Sequence, residues 1–570
     1  MVFHWGFAMS RNRIVVIGGV ACGPKAAARA RRRDPNADIT IIERGELLSY
    51  AGCGMPYYIQ GEVKTTDELM MTPAGALRDA AFFKFVKDIN VMSRTLAQRI
   101  DRFRKVVEVV ALDSGETAEV PYDKLVIATG ADAVVPPCPG TDLKGVFRLN
   151  HPMDAKGIRE AVANGCKEAV IVGAGLIGVE VAEALASQGL CVTMIEMLPT
   201  VVPSVLDPEL SLLLQKQLEF HGVTVLTGTR VLSFEGDDQG LVRTVVTDKG
   251  PVSAQLVLVA IGVRPNVKLA QDAGLELGPT GAIKVNEYLQ TSDPSIYAGG
   301  DCVENVHLIT RKPVYVPLGS TANKHGRVIG DNVTGGKTKF EGVLGTVVFK
   351  AFDWNVGRVG LSETECEKLG IPCVTALTPG PDRAHYYPTS KPVILKMVAH
   401  SETGKLLGVQ AVGPGDVVKR IDVAATAITF GINARDVSAL DLGYAPPFSS
   451  AVDIIQHAAN VIDNKLSGLA KSVTPLQVKR RLESDEDFVL LDVRTPAEVQ
   501  SEPFKNERIV HIPVGKLRER INELPRDKDI IIFCKTSLRA WEAQRILEGE
   551  GFTRVWFLDG GLAAWPYPKD

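Results

Sequence analysis

Two cysteines of this chain stand in settings suited to sulfur chemistry. Cys53 lies in Ser49-Tyr50-Ala51-Gly52-Cys53-Gly54-Met55-Pro56-Tyr57-Tyr58, between two glycines in a kinked segment expected to open a helix. Free N–H groups at a helix start stabilise a thiolate, the nucleophilic form of cysteine. Positions 56 and 58 hold Pro and Tyr, so no local disulfide can form. The alternative for an isolated cysteine is a small buried apolar residue. Cys534 ends the apolar run Ile531-Ile532-Phe533, and Lys535-Thr536-Ser537-Leu538-Arg539 follows as a loop. Successive backbone N–H groups of such a loop, with Lys535 and Arg539, would hold a thiolate or a persulfide anion. The other seven cysteines lack comparable settings. Cys366 and Cys373 do not have the paired spacing of a zinc site, and no metal is expected.

The elements that position these sulfurs announce themselves by glycine turns. Ala169-Val170-Ile171-Val172 is a strand followed by Gly173-Ala174-Gly175-Leu176-Ile177-Gly178, then a helix, then Cys191–Ile195 ending in Glu196. Gly173 allows the tight turn, Gly175 lets the backbone approach a pyrophosphate, and Gly178 permits close helix–strand packing. The phosphates then meet the positive end of the helix. Glu196 is placed to accept both ribose hydroxyls and would repel a 2′-phosphate, so NADH is expected over NADPH. An earlier copy runs Arg13–Ile17, Gly18-Gly19-Val20-Ala21-Cys22-Gly23, a helix from Lys25 to Arg33, and Asp38–Ile42 ending in Glu43. Its middle glycine is replaced by Val20. Leu125–Gly130, which contains Thr129, and Ile296–Asp301 add two strands that end in small-residue turns.

Composition closes off other classes. The 570 residues imply several domains, with 45% hydrophobic and 23% charged residues, which is globular rather than disordered. The net charge of −3 argues against nucleic acid as a partner. No apolar run reaches the about 18 residues of a membrane span. Met1–Ser10 lacks the marks of a signal peptide. Nine scattered cysteines suit a reducing compartment, and a cytoplasmic location is expected.

Over roughly residues 11 to 463 the chain resembles the flavin-dependent pyridine nucleotide-disulfide oxidoreductases. The resemblance implies two Rossmann-like domains, for FAD and NAD, an α+β dimerisation domain, and FAD held by Gly18, Gly23, Glu43, Thr129, Gly130 and Asp301. Glu43 would take the adenosine ribose and Asp301 the ribityl chain. The expected bounds are 11–150 with 268–335 for FAD, 151–267 for NAD and 338–463 for dimerisation. Residues 464–472 are expected as a linker and 473–570 as a small α/β domain. Three segments of that last domain, Asp492–Glu498, Ile531–Arg539 and Phe557–Trp565, resemble single-domain rhodaneses, with Ser537 where a glycine is common.

Within the larger family the single cysteine excludes the two-cysteine redox centres. The Ser49–Tyr58 segment resembles the branch that reduces coenzyme A disulfides and persulfides, with Gly52 in place of the usual Asn. The other single-cysteine branch, the NADH oxidases and peroxidases, forms a sulfenic acid and has a histidine where this chain has Ala21. That reading is the alternative. The resemblance further implies a homodimer with a shared active site, in which Tyr444, and Tyr386 or Tyr387, reach the partner's cysteine. Packing of a dimer interface is the other role open to Tyr386 and Tyr387. Coenzyme A enters as substrate or bound ligand, with Ser49 and Arg32 as candidate contacts. The expected activity is NADH-driven reduction of coenzyme A disulfide, coenzyme A persulfide or polysulfide at Cys53, with Cys534 carrying sulfane sulfur.

Overall fold

The computed structural model describes residues 12–569, so Met1–Ser10 and the expected domain start at residue 11 lie outside the described residues. The chain forms two compact units. One comprises residues up to Gly173, Ala184–Val192 and Val231–Val343, and the other Ala174–Glu183, Thr193–Arg230 and the chain from Leu344 onward.

The first unit is built on a five-stranded sheet in the order Ile296–Ala298, Lys124–Ile127, Arg13–Ile17, Asp38–Ile42, Asn90–Met92. Every pairing in it is parallel. Parallel strands are covered on both faces and therefore read as continuous apolar runs. Ile14, Val16, Ile39 and Ile41 pack one face against the Ala-rich helix Cys22–Arg33. Val15, Ile17, Leu125 and Ile127 pack the other with Ile100, Val107 and Val109 of an antiparallel three-stranded sheet. The helix begins at Cys22, three residues before the expected Lys25, because the glycine turn passes directly into it. In the same unit Glu168–Val172 pairs in parallel with Leu256–Val259, which pairs with Val146–Phe147.

The second unit contains the parallel pairing of Thr193–Ile195 with Thr224–Leu226 and two further sheets. One is antiparallel, in the order Val347–Ala351, Trp354–Gly360, Leu406–Gly413, Pro392–His400, Cys373–Pro381. The helices Val418–Thr429 and Ile454–Leu466 pack on it. The other is parallel, in the order Ser472–Val473, Val555–Leu558, Asp529–Phe533, Phe488–Asp492, Ile509–His511.

The segment expected to open the linker, Asn464-Lys465-Leu466, is the last turn of the helix Ile454–Leu466. Its lysine faces partners rather than water. The Lys465 ammonium donates to Thr375 O and to Asp559, each at 2.6 Å, and so joins the antiparallel sheet to the parallel one. Gly468, with φ +74°, ends the helical run. Among the described residues no helix is long and apolar enough to cross a membrane.

Candidate functional site

Both glycine turns use the same device. A side chain at Gly18, whose φ is +111°, would stand 2.1 Å from Ala128 O. One at Gly173, with φ +103°, would stand 2.5 Å from Ala260 O. Only glycine fits such an approach. In the first turn the Glu43 carboxylate accepts the N–H of Gly19 at 2.6 Å and of Gly45 at 2.7 Å. In the second the Glu196 carboxylate accepts Ala174 N–H at 2.8 Å and Leu198 N–H at 2.9 Å. Each acid thus ties its own strand end to the turn that a pyrophosphate would meet. Gly23 lies within helix Cys22–Arg33 and Gly178 within helix Leu176–Ala186, both buried, while Gly175 faces open space.

Asp301 follows the strand Ile296–Ala298 and is half-buried, with its Oδ1 shielded from solvent. Its Oδ1 has no hydrogen-bond partner among the described residues. Burial pushes its carboxyl up to about 6. A buried acceptor without a donor is costly unless a ligand supplies one. The Asp301 carbonyl takes the Tyr315 hydroxyl at 2.8 Å. Thr129 and Asn266 exchange hydrogen bonds beside Gly130, whose φ is +69°. His325, which sequence reasoning missed, is fully buried. Its Nδ1 accepts Gly300 N–H at 3.1 Å and its Nε2 has no partner among the described residues. Burial lowers its pKa to about 4, so the ring is neutral at pH 7. A lone histidine inside a helix carries no sequence signal of such a place.

Cys53 sits in the single 3-10 turn Gly52–Gly54, which leads into the helix Met55–Gln60, and it is exposed. A second helix start, invisible in the local sequence, also meets it. A side chain built at Gly319 would lie 4.0 Å from Cys53 Sγ. Gly319 opens the 14-residue helix Gly319–Asn332, whose first N–H groups and dipole favour negative charge beside them. The far end of Met55–Gln60 is anchored from other elements. Arg159 donates to Lys64 O at 2.9 Å and lies over the Tyr58 ring, and Gln188 donates to Ile59 O at 2.6 Å. Ser49 holds a left-handed backbone, φ +50°, and its N–H donates to Gly19 O. Within the helix Cys22–Arg33, Arg29 pairs with Asp331 and Arg31 donates to Asp88 O and Pro35 O, whereas the candidate contact Arg32 is exposed.

In the second unit the structure brings Tyr386 and Tyr444 together. The Tyr444 phenol raises the pKa of Tyr386, and both rings are exposed. Arg383 fixes the two segments by donating to Thr389 and to Pro447 O, both at 3.1 Å. Tyr387 is half-buried.

Cys534 follows the strand Asp529–Phe533 and is buried. The turn at Gly561 backs its loop, with Leu562 N–H on Cys534 O and Ala563 N–H on Lys535 O. Arg539 reaches the Cys534 sulfur and holds Glu498 through both terminal nitrogens, at 2.7 and 2.6 Å. The Arg539 hydrogen bonds draw the Glu498 carboxyl down to about 2. Lys535 pairs with Glu502, which also binds Lys569. Ser537 occupies φ +78°, which explains the usual glycine there, and its hydroxyl donates to Leu558 O at 3.0 Å.

Paired glycine–acid turns, an unpartnered buried aspartate and one exposed cysteine at two helix starts define a dinucleotide-dependent redox protein of the disulfide-reductase type. The family model of the pyridine nucleotide-disulphide oxidoreductases matches residues 12–325 and that family's dimerisation domain matches 346–455, and the chain belongs to this family. A rhodanese-like domain matches 474–566. The fold and family are those that the sequence motifs resemble. The chain is 40% identical over 453 residues to an NAD(P)H sulfur oxidoreductase (CoA-dependent) of Pyrococcus abyssi, covering 79% of this chain and 98% of that protein. The solved NAD-dependent persulfide reductase from A. fulgidus is 44% identical, with a TM-score of 0.92 over 97% of this chain and 100% of its own. Reduced CoADR-RHD of Bacillus anthracis is 34% identical, with a TM-score of 0.91 over 98% of each chain.

The family implies FAD and a nicotinamide nucleotide, and the residues present fit both. Asp301 offers an unused buried acceptor suited to a hydroxylated chain. The two glycine turns offer backbone N–H groups to phosphates, each beside a carboxylate suited to ribose hydroxyls.

Proposed function

We propose that this chain is an FAD-dependent reductase of sulfur–sulfur bonds that draws on NADH and uses Cys53 as its nucleophile. The observation that carries this reading is the Cys53 sulfur, exposed and set at the start of helix Gly319–Asn332. Gly18, Gly23, Thr129 and Gly130 would hold FAD, with Glu43 on its ribose and Asp301 on its ribityl hydroxyls. Gly173, Gly175, Gly178 and Glu196 would hold the nicotinamide nucleotide. The carboxylate of Glu196 disfavours a 2′-phosphate and so selects NADH.

The Cys53 thiolate attacks a substrate disulfide, forming a mixed disulfide and releasing one thiolate. With a persulfide it attacks the outer sulfur, becomes Cys53–S–SH and releases the thiol portion. Two electrons return Cys53 to the thiolate and release the second thiol or hydrosulfide. FAD, when bound, would supply those electrons from NADH.

Coenzyme A disulfide and persulfide are the proposed substrates. This follows the Ser49–Tyr58 segment and the names of the Pyrococcus abyssi and Bacillus anthracis relatives. Ser49 and Arg32 would contact the coenzyme. In a homodimer, Tyr444, with Tyr386 beside it, would protonate the departing thiolate of the partner's site. Cys534 would accept sulfane sulfur as a persulfide, steadied by Arg539, and present it to Cys53. Tethering the two sulfurs on one chain raises their effective concentration. The cytoplasm, where thiols stay reduced, is the proposed location.

The test is NADH consumption with coenzyme A disulfide, coenzyme A persulfide, polysulfide and peroxide side by side, on the intact chain and on Cys534→Ala. Turnover of the sulfur substrates, with persulfide or polysulfide turnover reduced by Cys534→Ala, supports the reading. Peroxide consumption that outruns all three sulfur substrates overturns it.

A further inference from the structure

His325 stands in the second turn of the helix Gly319–Asn332 and is wholly buried. The helix lies against the Gly299-Gly300 turn, which follows the strand Ile296–Ala298 and leads into Asp301. That approach leaves no room for a side chain. One built at Gly299 would stand 2.6 Å from Ile329 Cδ1, 2.9 Å from Cys22 Sγ and 3.0 Å from His325 Cβ. The Gly299 N–H still donates to the neighbouring strand, to Ile127 O at 3.0 Å. The Gly300 N–H, one residue further, has passed the strand end and is buried. Its acceptor is the His325 ring, with Nδ1 at 3.1 Å.

A buried N–H without an acceptor is costly, so this bond fixes the plane of the peptide that carries it. Gly300 takes φ +81°, and as a glycine it resists backbone rotation least of all residues. The histidine therefore supplies a restraint that the turn itself lacks, directly before Asp301. Because Nδ1 accepts, the neutral ring carries its proton on Nε2. Burial lowers the pKa of the ring to about 4, so Nδ1 remains an acceptor at neutral pH. The Phe340 ring meets the imidazole edge to face, with centroids 4.4 Å apart and planes at 88°, and limits its rotation. On the other side of Asp301, the Tyr315 hydroxyl holds the carbonyl at 2.8 Å. The Asp301 backbone is thus held before and after, while its Oδ1 has no partner among the described residues. Supporting bonds of this kind set where a ligand-binding side chain points.

We propose that His325 is a positioning residue for Asp301, holding the Gly300 peptide so that the carboxylate meets the ribityl hydroxyls of FAD. The inference rests on the reading of Asp301 as the ribityl contact. ADP carries the pyrophosphate and the adenosine ribose but no ribityl chain. It would use the glycine turn and Glu43 without Asp301, and so would not sense His325.

The test is the affinity of the FAD-stripped full chain for FAD, by quenching of flavin fluorescence, and for ADP, by titration calorimetry. His325→Leu removes the acceptor and keeps the bulk. It should weaken FAD about tenfold and change the ADP Kd by less than about twofold. His325→Asn carries an oxygen near the Nδ1 position and should recover FAD affinity to within about threefold of wild type. Asp301→Ala should itself weaken FAD, and His325→Leu in that background should add less than about twofold, because no carboxylate remains to be positioned. An unchanged FAD Kd in His325→Leu overturns the proposal and leaves Asp301 its role. So does equal weakening of FAD and ADP, a His325→Asn protein as weak as His325→Leu, or the full loss persisting in Asp301→Ala. An unchanged FAD Kd in Asp301→Ala overturns the ribityl assignment and the proposal together.

Discussion

Replacing Asp301 with Asn tests whether this carboxylate is kept for a ligand at the expense of the empty fold. Asp301 titrates at about 6 in the folded chain against an ordinary 3.8, through burial alone. The folded state therefore holds the proton more tightly than the unfolded chain. Stability is present below pH 4, falls as pH rises between 4 and 6, and stays low above 6. The gap between about 6 and 3.8 corresponds to about 3 kcal/mol of stability lost at pH 7.5. Asp301→Asn removes the buried charge and keeps the shape. Stripped of FAD, the variant should be more stable than the wild type at pH 7.5 by about 1–3 kcal/mol, with the difference shrinking as pH falls toward 4. Adding FAD should reverse the order, because ribityl hydroxyls satisfy Oδ1 of the carboxylate better than an amide. Thermal unfolding of both proteins, with and without FAD, at pH 4.5 and 7.5 reads each of these stabilities. A FAD-free Asp301→Asn protein no more stable than wild type at pH 7.5, or equal stabilisation of both by FAD, would refute the argument.

Three further outcomes follow from particular contacts. Tyr444→Phe deprives Tyr386 of its phenol partner, and kcat on coenzyme A disulfide should fall about 100-fold with KM within about twofold. An unchanged kcat in steady-state assay would restrict the pair to packing. Glu502→Gln frees Lys535 and Lys569 and adds positive charge beside the Cys534 loop. Sulfur transfer from a dianionic donor such as thiosulfate should rise about fivefold at low salt and lose the gain at high salt. Lys465→Ala leaves Asp559 buried without its ammonium, at a cost of about 3 kcal/mol. Limited proteolysis should then cut between residues 467 and 471 at least tenfold faster, and an unchanged rate would deny that contact a clamping role.

The glycine–acid turns were legible because backbone geometry demands specific residues. Gly18 and Gly173 approach carbonyl groups where no side chain fits, and Glu43 and Glu196 close the strand that follows each turn and its helix. Ser537 was legible as a departure, and its positive φ supplies the reason. What stayed hidden was contact between distant segments. Nothing near Cys53 announces that Gly319 will set a second helix start against it, nor that Arg159 and Gln188 will anchor the following helix. Buried charges misled in the same way. Lys465 read as part of a linker, yet its ammonium is held by Thr375 O and Asp559. Lys396, wholly buried among Asp207, Glu209 and Glu363, has no local pattern at all.

The most direct measurement is peptide mapping of the NADH-free enzyme after brief exposure to coenzyme A disulfide. A single coenzyme A adduct on Cys53, discharged on adding NADH and absent from Cys53→Ser, is the expected result. Adduct formation elsewhere with Cys53 untouched, or undiminished NADH-driven disulfide reduction by Cys53→Ser, would contradict the assignment of this sulfur as the nucleophile.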